Sequence, residues 1–198
     1  MSKSLVDKLI NKSIEAFILG IEIYNKPTIK YRVEGFSFFV CNAWELLLKA
    51  YIIEHKGEDA IYYKDNPDRT ISLNNCIEKV FTNDKDPLRI NLEKINDLRN
   101  TSTHFITEEY EQIYVPLFQS CVLNYSNKLL DFFDIDISNY IPQNFLTLSI
   151  NLNEITENSI KAKYPKQIAD RMLKTAKNIN QLSDKYGPNF SIVITHDF

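Results

Sequence analysis

Arg99-Asn100-Thr101-Ser102-Thr103-His104 places an arginine and a histidine on either side of four small polar residues, directly after an amphipathic helix pattern. The chain has only three histidines and five arginines. A guanidinium clamps a phosphate with a fixed fork of donors, and an imidazole moves protons near neutral pH. Cleavage of RNA by internal transfer needs a base for the 2′-OH and an acid for the leaving 5′-oxygen. It also needs positive charge on the phosphorane-like transition state. One His104 per chain is one proton shuttle too few for a two-histidine mechanism. A twofold homodimer with two copies of Arg99 and His104 in one cleft would supply the second. The structural alternative stands beside this: an arginine is favoured at a helix C-terminus by the dipole, and a histidine beside a turn is often simply hydrogen-bonded.

Positions five apart lie about 140° apart around a helix, so Arg99 and His104 cannot share one face of a straight helix. They converge only if the helix loosens or ends between them. Thr101, Ser102 and Thr103 favour that, because their hydroxyls compete for backbone groups.

The elements that must position this pair follow from periodicity. Leu5, Leu9, Ile14, Phe17, Ile18 and Ile21 predict a helix over 4–24. A longer helix is predicted over 29–56, apolar on most faces and closed by Gly57, which makes it the expected centre of the fold. Residues 60–73 read as a small hairpin or extended loop, and Ser72 as the cap of a short helix to residue 81. Asp86-Pro87 opens the next helix with proline in its first turn. Its stripe of Leu88, Leu92, Ile95 and Leu98 leads to Arg99. The cleanest pattern runs over 110–133, with a kink expected near Pro116. Beyond 134–144 the period changes. Alternation over 146–152 predicts a strand, 166–186 a helix ending at Gly187-Pro188, and Phe190, Ile192 and Ile194 a last strand. The expected architecture is mainly α: a helical domain over 1–135 with a hairpin insertion, then a β-α-β appendage over 145–198. A chain that stops directly after a strand is expected to continue into a longer protein.

Composition agrees with a globular chain: 44% apolar and 25% charged residues over 198 positions. Four glycines leave no Gly-rich phosphate loop, and a net charge of −3 is not that of a protein coating nucleic acid by charge alone. Cys41, Cys76 and Cys121 are widely spaced among apolar residues, with no C-x-x-C pair, which predicts buried, reduced thiols and a cytoplasmic setting. No secretory signal, Walker loop, nucleophile elbow or H-E-x-x-H is present. The apolar stretch over 36–53 is interrupted by Asn42, Glu45 and Lys49 and reads as a core helix rather than a membrane span.

Leu98-Arg99-Asn100, with His104-Phe105 after three intervening residues, resembles the R-x(4–6)-H signature of the HEPN superfamily (higher eukaryotes and prokaryotes nucleotide-binding domains). Upstream, Asn42-Ala43-Trp44-Glu45-Leu46-Leu47-Leu48-Lys49-Ala50 is similar to the hallmark helix of a HEPN-like bacterial family of unknown function. Ile61-Tyr62-Tyr63-Lys64 and Asn91-Leu92 fit the same pattern. The resemblance spans roughly residues 5 to 133.

It implies a dimerising helical bundle and a metal-independent endoribonuclease, often a toxin in toxin–antitoxin, abortive-infection or other antiphage systems. The implied products are a 2′,3′-cyclic phosphate or 3′-phosphate and a 5′-hydroxyl. No cofactor or membrane partner is implied; the expected partners are RNA, a second copy of the chain, and an antitoxin or regulatory domain. Carried over, Arg99 contacts the scissile phosphate, His104 moves the proton and Asn100 orients one of them. Glu45 and Thr103 are supporting candidates, with a Glu45–Lys49 pair as the structural alternative for the former. Lys49, Lys163 and Lys166 are candidate RNA contacts. Lys161, Lys163, Lys166, Arg171, Lys174 and Lys177 form a basic run that either guides RNA or is a solvated helix face. Trp44 is expected in the core. The competing functional reading is a HEPN-like module that binds RNA, a nucleotide or a protein without cutting.

Overall fold

Ser4 starts the first helix, α1 (Leu5–Tyr24). Its hydroxyl accepts the Asp7 N–H at 3.1 Å, and the Asp7 carboxylate accepts the Ser4 N–H at 3.1 Å. This reciprocal box satisfies two donors that a helix start leaves unpaired. The computed structural model describes residues 4–101, 108–141 and 157–192.

Helix α2 runs Arg32–Lys56, three residues later than periodicity alone predicts. Tyr31 in the cap position has no side-chain hydrogen bond to the helix, and the segment after Pro27 turns before the helix begins. Gly57 ends it at φ 83, a conformation that favours glycine. Helices α1 and α2 pack antiparallel: Gly20 lies against Phe39 and Val40, while Gly35 lies against Ile23. A Cβ at Gly35 would meet Ile23 Cγ2 at 2.9 Å, so the close approach of the two helices needs glycine there.

With a mean hydropathy of 1.4, α2 is apolar enough to cross a bilayer by length and composition. Its apolar faces are instead taken up by the other helices. Val40, Ala43, Trp44, Leu47, Leu48 and Ile52 are all at most 1% exposed. Around Trp44, the Tyr125 ring stacks on Phe17 at 4.0 Å and meets the indole edge-on at 5.5 Å. The indole N–H donates to Cys121 Sγ at 3.2 Å. Ser13 Oγ donates to Ala43 O at 2.7 Å and lies 2.7 Å from the Tyr125 hydroxyl, which joins three helices by polar contacts inside the core. All three cysteines are free and buried, as expected.

A 3-10 turn (Glu58–Ile61) leads into the hairpin of β1 (Tyr62–Tyr63) and β2 (Asn66–Thr70). The strands are antiparallel, with Tyr62 opposite Thr70 and Tyr63 opposite Asn66. Ser72 caps α3 (Leu73–Val80). Asp86 Oδ1 accepts the Leu88 and Arg89 N–H groups at 2.8 and 3.3 Å and so starts α4 (Pro87–Thr101). Helix α5 (Glu108–Phe133) contains Pro116. A 3-10 turn (Ile137–Asn139) follows, then α6 (Glu157–Lys163), α7 (Lys166–Tyr186) and a final 3-10 turn (Gly187–Asn189). The fold is thus mainly α with a small hairpin. The strand expected over 146–152 lies outside the described residues. Of the expected last strand, Phe190 and Ile192 are in no strand, and Ile194 lies outside the described residues.

Ile179 of α7 and Phe190 belong to the main apolar core, while Ile160, Ala169 and Met172 form a small second cluster. Polar contacts hold this C-terminal part to α4 and α5. Asn91, fully buried in α4, donates to Leu117 O at 3.0 Å and Phe190 O at 2.7 Å. The Ile192 N–H donates to Pro116 O at 2.9 Å, Asn124 donates to Asn189 O at 2.8 Å, and the Ser120 hydroxyl donates to Pro188 O. Packing of the final turn restricts Phe190 to this seam, in place of an extended strand. Asn91→Ala is expected to cost about 2–4 kcal/mol, because it leaves two carbonyls unpaired in a dry interior. Urea denaturation checks this, and a loss below about 1 kcal/mol would show that the seam does not depend on Asn91.

Candidate functional site

The last turn of α4 carries the first half of the arginine–histidine pattern. Leu92, Ile95 and Leu98 are buried beneath it, which fixes how the helix end is rotated. Thr101 turns its hydroxyl back onto the helix and donates to Asp97 O at 2.8 Å. This is the competition for backbone carbonyls expected of that residue. Arg99 Nε and Nη2 both reach Asn100 Oδ1 at 3.3 Å. The amide of Asn100 therefore holds two of the guanidinium donors from the neighbouring position. Thr103 and His104 lie outside the described residues.

Arg99 faces α2. Burial pushes the Cys41 thiol up to about 12; the Arg99 charge pulls it down and the Glu45 charge raises it. Cys41, Glu45 and Lys49 lie at successive i, i+4 positions of α2 and therefore share one face. The Glu45 carboxylate accepts from Lys49 Nζ at 2.6 Å, and the same ammonium donates to Thr70 Oγ1 at 3.0 Å. Lys49 is 5% exposed. Its charge is directed into the seam between α2 and β2 and not out towards a strand of RNA, which corrects its expected role as an RNA contact. The physical reason is the pairing: Glu45 on the same helix and Thr70 of the hairpin both accept from the ammonium. Glu45 is half-buried and takes the pairing alternative. Its carboxylate still lies near enough to Cys41 for its charge and that of Arg99 to be felt there.

Trp44 is core, with no exposed surface on which a base could stack. Lys163 closes α6 with its ammonium 5.7 Å from the Tyr164 ring, and Lys166 opens α7 exposed to solvent. One polar contact below the site has only a faint sequence signal. Asn96, one turn before Asn100, is 2% exposed and donates to Asn74 Oδ1 of α3 at 2.6 Å. An asparagine next to Ile95 in an apolar stripe was the available sign. Among the described residues no three His, Cys, Asp or Glu side chains converge as metal ligands would.

These features define the class of the protein: a mainly helical bundle with a hairpin between its second and third helices and an arginine–asparagine pair at the end of α4. The model of the family described as "Domain of unknown function (DUF3644)" matches residues 8–183, and the chain belongs to that family. No curated protein and no solved structure matches it.

Proposed function

We propose that the chain is a metal-independent endoribonuclease, acting as a homodimer in the cytoplasm as a toxin or antiphage effector. The observation that carries this reading is the Arg99–Asn100 contact in the last turn of α4. A guanidinium at a helix end, with Asn100 restraining part of its fork, suits a phosphate. His104 follows three residues after the end of α4, so chain length alone keeps its Cα within about 11 Å of that of Thr101.

In the proposed reaction the 2′-oxygen attacks the adjacent phosphorus. The P–O2′ bond forms, the P–O5′ bond breaks, and the 2′,3′-cyclic phosphate is left on one fragment. One His104 imidazole takes the 2′-OH proton, and the His104 of the second copy gives a proton to the departing 5′-oxygen, which leaves as a hydroxyl. Arg99 holds the nonbridging oxygens as negative charge gathers on them.

The test is cleavage of total RNA by purified protein in EDTA, wild type against His104→Ala. The variant is expected to lose about 10²–10⁴-fold in rate, the range for a general acid–base group. Wild-type product ends should be cyclic phosphate and 5′-hydroxyl. Equal cleavage by the two proteins would refute the assignment.

A further inference from the structure

Helix α7 presents Lys174, Lys177 and Asn178 along one face, at i, i+3 and i+4. Opposite them stand Lys94 and Asp97 of α4, with the buried Tyr114 of α5 between the helices. Together these residues line a groove of about 470 Å³. Three lysines line it, and Asp97 is the single acidic residue among its walls. Among the described residues none of the three lysines has an ion-pair partner, although Asp97 shares the groove. Elsewhere on the surface, Lys128 pairs with Asp131 and Lys161 with Glu157, each on its own helix. The groove thus gathers cations that the fold itself does not neutralise, in a chain whose net charge is −3.

We infer that the groove between α4 and α7 binds the phosphate backbone of a single-stranded RNA through Lys94, Lys174 and Lys177. This extends the RNA-cleaving reading of the α4 terminus and rests on it for the identity of the polyanion. Lys94 and Asp97 lie about 140–160° around α4 from Arg99, so the groove is on the opposite side of the helix from the guanidinium. A helix is about 10–12 Å across. The groove therefore holds nucleotides that flank the scissile linkage and does not hold the linkage itself. Lysines are compact point charges that track a backbone without reading sequence, and the Asn178 amide adds one donor and one acceptor beside them. The volume lies within the 300–1,000 Å³ range of small-ligand sites, which suits a short length of single strand.

The test measures binding alone, so that it stands apart from cleavage. A fluorescein-labelled uridine 12-mer is titrated by anisotropy with His104→Ala protein, with and without Lys94→Ala, Lys174→Ala and Lys177→Ala together. The triple substitution is expected to raise Kd at least about tenfold. The slope of log Kobs against log salt should shrink by about 2, the counterion release of three single-strand phosphate contacts at roughly 0.7 each. A control with Lys8→Ala, Lys12→Ala and Lys56→Ala, three exposed lysines outside the groove, removes the same charge elsewhere and should change Kd less than about threefold. Unchanged affinity in the groove variant, or an equal loss in the control, would overturn the assignment. Equally tight binding of an oligo-glutamate of matching charge would also overturn it, in favour of an acidic peptide. RNA binding lost in the groove variant of a protein that cuts no RNA would sink the nuclease reading and keep the groove. Cleavage that depends on His104, with the groove variant binding as before, would do the reverse.

Discussion

Arg99→Ala is expected to lower RNA cleavage by about 10²–10³-fold, the usual loss when a donor aimed at developing charge is removed. Its melting temperature should stay within about 3 °C of wild type. The guanidinium is only half-buried, and two of its donors reach the side chain of the next residue, Asn100, at 3.3 Å. The apolar stripe that anchors α4 is made by Leu88, Leu92, Ile95 and Leu98, so removing Arg99 leaves the packing in place. Arg99→Lys keeps the charge but not the planar fork, and it should recover only part of the rate. Asn100→Ala frees the fork from its neighbour and should cost less than Arg99→Ala, because it removes restraint and not charge. Single-turnover cleavage of a labelled oligonucleotide, with melting curves on the same samples, separates these cases. Full cleavage by Arg99→Ala, or loss of rate only in step with loss of folded protein, would remove Arg99 from the chemistry.

Trp44→Ala is expected to destabilise the fold by about 3–5 kcal/mol, as large-to-small changes in tight cores do. At about 2–4 °C per kcal/mol for a chain of this size, the melting temperature should fall by about 6 °C or more. The indole has no exposed surface, meets the Tyr125 ring edge-on at 5.5 Å, and donates to Cys121 Sγ at 3.2 Å. Its neighbours cannot close the gap cheaply. Tyr125 is held by Phe17 stacking and by Ser13, and Leu47 and Leu48 are fixed on α2 itself. Trp44→Phe keeps most of the apolar surface and loses the N–H donor, so it should cost less than half as much. Equilibrium urea denaturation reads both, and a loss under about 1 kcal/mol for Trp44→Ala would show that the core around α2 relaxes far more than its packing implies.

Wherever a helix boundary is built from adjacent residues, it was legible in the sequence. Gly57 at the end of α2, Ser72 before α3 and Asp86-Pro87 before α4 all act within a few residues of themselves. The start of α2 was less legible because nothing local marks it: Tyr31 has no capping hydrogen bond, and the apolar period begins before the helix does. The hairpin was legible as turn chemistry around Asn66-Pro67, but its consequence for Lys49 was not, since Thr70 is 21 positions away from the ammonium it accepts from. Arg99 was legible as the continuation of the Leu88, Leu92, Ile95 and Leu98 stripe, and it lies in α4 as described.

Local rules therefore determined the helices, the marked helix boundaries, the buried thiols and the arginine–asparagine neighbours of α4. Only the tertiary structure decided which charges of different elements come together. Thr70 of β2 is brought to the Lys49 ammonium beside its i, i+4 partner Glu45, and Lys94 is brought beside Lys174 and Lys177 by the docking of α7. The physical reason is range. Caps, periodicity and i, i+4 pairs act over one or two turns, but which charges of different helices meet is set by which helices share a core, as Ile179 and Phe190 do with α4 and α5.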